Sequence, residues 1–142
     1  MAPILHHIQS LESYVERSGA QLVRTALPEW VHGRVMSGMI ALRSDLNPEQ
    51  QLLTLVHELA HWLAHRDAGP HTHCLHRTIC EYEAEAVEAL VMARLGLPCP
   101  DHAVGPLGDS VPTDGLLSSS VSRVVSTTRR ICQALGLEQP SA

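Results

Sequence analysis

The sequence has no phenylalanine, and aromatic residues amount to only 3% of its 142 positions. A core must therefore be packed by Leu, Val, Ile and Ala, which the 44% hydrophobic content can supply. A basic excess is also missing. The formal charge of −5 argues against direct binding of nucleic acid, which draws on a basic surface. No apolar run approaches the ~20 residues that span a bilayer. The start, Met1 to His7, has no basic segment leading into an apolar stretch, so no signal peptide is expected. These absences point to a cytoplasmic chain that does not enter a membrane. The four cysteines, Cys74, Cys80, Cys99 and Cys132, form no C-x-x-C pair, and four reduced thiols are expected.

What the sequence has in quantity is histidine, ten in all. The length fits a single domain over 1–142, with a core at about 20–98 and a C-terminal helix at about 118–135. Ile8, Leu11 and Val15 mark a short amphipathic helix over about 6–18. Short strands are expected at about 21–26, 31–36 and 39–43, the last two joined across Ser37-Gly38. Asn47-Pro48-Glu49-Gln50 is a strong helix start: an Asn cap, Pro in the first position, and Gln placed to bond back to the cap. That helix should reach about His65. After a polar loop to Arg77, a second helix is expected from Thr78 to about Gly96, and a last one with Val121, Val124, Val125, Thr128, Ile131, Cys132 and Leu135 inward. The fold class is α+β, with a small antiparallel sheet.

The first long helix carries His57-Glu58-Leu59-Ala60-His61, an H-E-x-x-H sequence. Residues i and i+4 share a helical face, so two imidazoles can reach one ion, and the intervening Glu can take a proton from an activated water. Around the helix, counted from Leu52, the residues Thr54, His57, Glu58, His61 and His65 fall within about 140–240°. All other positions to Ala64 are apolar. Burying such a stripe uncompensated would be costly, and a metal supplies the compensation. His57 and His61 are thus candidate ligands and Glu58 the candidate general base.

Catalytic zinc takes three protein ligands and keeps one position open. The sequence lacks the H-E-x-x-H-x-x-G-x-x-H extension, since residue 67 is Asp, so the third ligand must come from elsewhere. The second helix offers Glu81, Glu85 and Glu88 on one face, with Glu83 facing away. Like charges at this spacing repel modestly, and a cation between the helices would relieve them. Glu81 is the favoured ligand and Glu85 the next, with Glu85 otherwise placed to orient a His ring. Thr78-x-x-Glu81 also reads as a capping box, and Arg77 could pair with Glu81, which leaves the choice open.

The run from Ile40 through His57-Glu58-Leu59-Ala60-His61 to His65 resembles the ImmA/IrrE family of metallopeptidases and the related catalytic domain of ArdC-type antirestriction proteins. So does Glu81-x-x-Ala84-Glu85 followed by Leu95-Gly96-Leu97. The resemblance covers about residues 30–98, and the last helix is weakly similar to the ArdC-type ending. It implies a zincin-like, gluzincin-type domain with His57, His61 and Glu81 as ligands, Glu58 as base and Glu85 beside a ligand. It further implies zinc or manganese, a bacterial or mobile-element setting, and a protein substrate such as a transcriptional repressor. No counterpart of the DNA-binding and sensor-like extensions of some relatives is expected within these 142 residues.

Two functions follow. One is a metal-dependent endopeptidase; the other is a metal-binding regulatory module that holds a repressor or nuclease without cutting it. Hydrolysis of a non-peptide bond would use the same chemistry. His65 and Tyr82 are candidate oxyanion or substrate contacts, although His65 also suits a helix C-terminus. The segment with His71, His73, Cys74, His76 and Cys80 matches no common zinc module and reads as a rim of the site. Arg123, Arg129 and Arg130 read as the solvated face of the last helix.

Overall fold

The computed structural model describes residues 2–65, 74–99 and 114–137. In chain order these form helix α1 (Ala2–Arg17), strands β1 (Gln21–Thr25), β2 (Gly33–Met36) and β3 (Met39–Arg43), then helices α2 (Pro48–His65), α3 (Cys74–Leu95) and α4 (Asp114–Ala134). The α+β class is as expected. Two helices begin before their sequence signals. Thr78 lies inside α3 rather than at its cap, so the capping-box reading of Thr78 and Glu81 does not apply. The start of α2 follows the local chemistry: Gln50 N–H donates to Asn47 Oδ1 at 2.9 Å, and Asn47 N–H to Gln50 Oε1 at 3.1 Å.

The sheet is mixed, not antiparallel. Its order is β1-β3-β2, with β3 antiparallel to β2 and parallel to β1. The Ser37-Gly38 turn closes the β2–β3 hairpin with positive φ at both positions, 45° and 75°. Thr25 pairs with Arg43 and Gly33 with Leu42, so β1 ends where β2 begins, and the segment 26–32 carries the chain across β3. This non-local pairing leaves no periodic trace in the sequence.

One core joins all layers. Ile8, Leu11 and Val15 of α1, Ile40 and Leu42 of β3, and Leu52, Leu55, Val56 and Leu59 of α2 are buried together with Val87 and Val91 of α3 and Ile131 of α4. Residues α1 presents to this core are those its sequence period indicates. α4 is rotated from its expected face: Val124, Ile131, Cys132 and Leu135 are buried, but Val121 is 60% exposed and Val125 is 43% exposed. Ser120 and Thr127 turn inward instead. Cys80, Cys99 and Cys132 are free thiols. Among the described residues, no helix is long and apolar enough to cross a membrane.

Candidate metal centre

α2 packs between the sheet and α3, so its polar stripe meets the acidic face of α3. One ligand atom each from His57, His61 and Glu81 lie within 4.8 Å of one another. His57 Nε2 stands 3.4 Å from Glu81 Oε2, and His61 Nε2 2.7 Å from Glu81 Oε1. Donors bound to a tetrahedral zinc at about 2.0–2.1 Å would lie about 3.3 Å apart, so this group is of the right size. Two nitrogens and one carboxylate oxygen also form a suitable donor set for a catalytic zinc, and the residues fit the ion.

The far nitrogen of each ring is engaged. His57 Nδ1–H donates to Glu88 Oε1 at 2.9 Å, and His61 Nδ1 lies 3.0 Å from Nδ1 of His65. The ring-orienting carboxylate expected at Glu85 is therefore Glu88 for His57. Helix geometry explains the difference: Glu88 follows Glu81 by two turns and stays nearly in line, whereas Glu85 is offset by about 40°. Glu85 lines the adjacent cavity, as Glu88 also does.

His65 stands in the last turn of α2, as its helix C-terminal reading has it. Its Nε2–H donates to Glu83 Oε1 at 2.8 Å, and it is not among the residues that line the cavity. Glu83 does not face solvent. It is 2% exposed and receives Ser120 Oγ–H at 2.5 Å and the Arg123 guanidinium through Nε at 3.0 Å and Nη2 at 2.8 Å. Arg123, exposed like Arg129 and Arg130 as the sequence suggests, is thus also held by a buried carboxylate. Tyr82 is half-buried and does not line the cavity. The His71–His73 part of the expected rim lies outside the described residues, as do the side chains of Cys74 and His76.

The cavity holds about 540 Å³. Trp30, His32 and Gly33 line it from the sheet side, Thr54, His57 and Glu58 from α2, and Glu81, Glu85 and Glu88 from α3. Sequence reasoning missed Trp30 and His32, because the segment between two short strands carries no periodicity. Gly33 is required by contact: a Cβ there would meet Thr54 Cγ2 at 2.7 Å, Ala41 O at 3.0 Å and Glu58 Cγ at 3.1 Å.

Burial pulls the His57 imidazole toward its neutral form. Hydrogen bonds to Glu81 and Glu88, with the nearby charge of Glu58, outweigh this and push its pKa up to about 10 in the metal-free site. Hydrogen bonds from His57 and His61 hold Glu81 far below the usual carboxylate range, against its burial. Glu58 is raised, chiefly by burial and further by Glu81 and Glu88, with His57 and His61 opposing. One carboxylate is thus held ionised beside another that takes a proton more readily.

An α+β domain that brings two histidines of one helix together with a glutamate of the next can hold a metal ion. Residues 15–99 match the model of peptidase family M78, described as the IrrE N-terminal-like domain, and the chain belongs to that family. The match begins near the end of α1, earlier than the motif-bearing stretch, and takes in Val15 of the core. No curated protein and no solved structure matches the chain.

Proposed function

We propose that this chain is a metal-dependent endopeptidase, with zinc as the ion and manganese as its alternative, that cleaves a peptide bond in a cytoplasmic protein. The observation that carries the reading is the donor group itself: His57 Nε2, His61 Nε2 and Glu81 converge while both Nδ1 atoms are held by other residues. When bound, a divalent ion supplies Lewis acidity, activating a water and polarising a carbonyl oxygen. Glu58 takes the proton of the attacking water and returns it to the leaving amine, a role that its raised pKa favours. The zincin-like architecture belongs to the same reading. β2 is an edge strand of the described sheet beside the cavity, and an extended peptide can add to such an edge. Trp30, 84% exposed at the cavity, offers an apolar surface to a substrate side chain. The Glu81-x-x-Ala84-Glu85 run and the last helix favour kinship with ArdC-type catalytic domains, and a transcriptional repressor is the proposed class of substrate.

Zinc-loaded wild type and Glu58→Gln are incubated with candidate repressors and with a generic unfolded protein. Cleavage by wild type, reduced by about 10²–10⁴-fold in a variant that still holds zinc, supports the reading. Full activity in the variant overturns the mechanism. Zinc-dependent capture without cleavage by either protein would favour the regulatory-module alternative.

A further inference from the structure

His65 and Glu83 form a chain of hydrogen bonds that the metal site alone does not require. We infer that they are positioning residues that fix which nitrogen of His61 is free to bind a metal. The inference rests, for its purpose, on the metal reading of the site.

The argument starts at Glu83. Ser120, Arg123 and His65 all approach its two oxygens, and Arg123 already balances its charge. An ionised carboxylate only accepts, so His65 must donate from Nε2. In the metal-free site Nε2 of His61 likewise faces a carboxylate, Glu81 Oε1, at 2.7 Å, so both rings donate outward from Nε2 and one proton lies between the two Nδ1 atoms, 3.0 Å apart. A metal at His61 Nε2 takes the place of the outward proton of that ring, and His65, still bound to Glu83 through Nε2, then offers Nδ1 as the acceptor for the proton that His61 keeps on Nδ1.

His57 reaches the same state through a single carboxylate, Glu88. His61 reaches it through an intervening imidazole because its Nδ1 points along α2 rather than across to α3, where His65 stands one turn on. The charge that anchors this chain comes from α4, so docking of the last helix and metal affinity are linked.

The test begins with a measurement that needs no variant and no metal. Nitrogen-15 spectra of the imidazoles in the metal-free full-length protein should show His65 protonated at Nε2. A His65 protonated at Nδ1 alone overturns the inference. Zinc affinity is then measured by competition with a chromophoric chelator for wild type, His65→Leu and His65→Gln. His65→Leu removes the acceptor and should weaken zinc by about 10–100-fold. His65→Gln keeps an amide oxygen for His61 and an amide N–H for Glu83, and should recover most of that loss. Equal affinity in all three proteins, or equal loss in both variants, overturns the inference, because only side-chain volume or nothing at all would then matter. Failure of wild type to take up zinc would instead overturn the metal reading, while the His65 tautomer would still decide the hydrogen-bond chain.

Discussion

Glu88 Oε1 accepts the Nδ1 proton of His57 at 2.9 Å, and the carboxylate that does so is only 2% exposed. A buried carboxylate behind a ligand imidazole fixes the ring and raises its basicity. Glu88→Ala should therefore weaken zinc by about 10–100-fold while leaving the three candidate ligands in place. Competition titration with a chelator measures this, and wild-type affinity in the variant would remove Glu88 from the site.

Protons compete with the metal for the same nitrogen. His57 holds its second proton up to about pH 10 in the metal-free site, so below that pH binding must expel it. Affinity should rise with pH, by about tenfold per unit through neutrality if one proton leaves. Calorimetry in buffers of different ionisation enthalpy counts the released proton. A pH-independent affinity would contradict the raised pKa.

Glu83 gives a separate pH dependence, this time of stability. Burial opposes its ionisation, but His65, Arg123 and Ser120 outweigh burial and hold it down to about 2, against an ordinary 4.5. Between those values the unfolded chain binds the extra proton and the folded one does not. The stabilisation is therefore complete above about pH 4.5 and is lost as pH falls toward 2, on the order of 3 kcal/mol in all. Glu83→Gln should be less stable at neutral pH yet lose less on acidification, as read from urea midpoints. An unchanged acid limb would show that Glu83 is not the group responsible.

Gly33 brings β2 against α2. The Cβ of Gly33→Ala would stand 2.7 Å from Thr54 Cγ2 and 3.0 Å from the Ala41 carbonyl oxygen, and the second contact is backbone that cannot rotate away. A loss of about 1–3 kcal/mol is expected. Adding Thr54→Ser removes the nearer methyl and should restore part of it. Chemical denaturation of the single and double variants checks both steps, and a Gly33→Ala protein of wild-type stability would contradict the close packing.

Local chemistry was legible in the sequence. The Asn47 and Gln50 cap depends on residues three apart, and the His57, Glu58 and His61 stripe depends on the period of one helix. The sheet was not, because pairing β1 with β3 joins segments separated by another strand. That Glu88 rather than Glu85 accepts from His57 turns on an offset of about 40°. That is finer than a helical wheel resolves without knowing how two helices cross. The pairing of Glu83 with Arg123 was not legible for a related reason. Glu83 faces away from the acidic stripe and Arg123 lies on the exposed face of α4, both as read, and only their meeting, 40 positions apart in the chain, buries the carboxylate and makes the arginine its partner. The one trace of this was Ser120 and Arg123 at i and i+3, a polar notch beside the valines of α4.

All the side chains proposed to hold or orient the ion fall between His57 and Glu88, which are 31 positions apart. The centre is in that sense a transplantable insert: two consecutive helices that carry both their ligands and the groups behind them. What a host scaffold must add is small but specific. It needs a strand with a glycine where Gly33 touches Glu58, and a helix presenting a serine and an arginine to Glu83. Grafts that copy the H-E-x-x-H helix and its acidic partner without that third helix would leave a buried charge unmatched, and would be expected to fail at folding before they fail at chemistry.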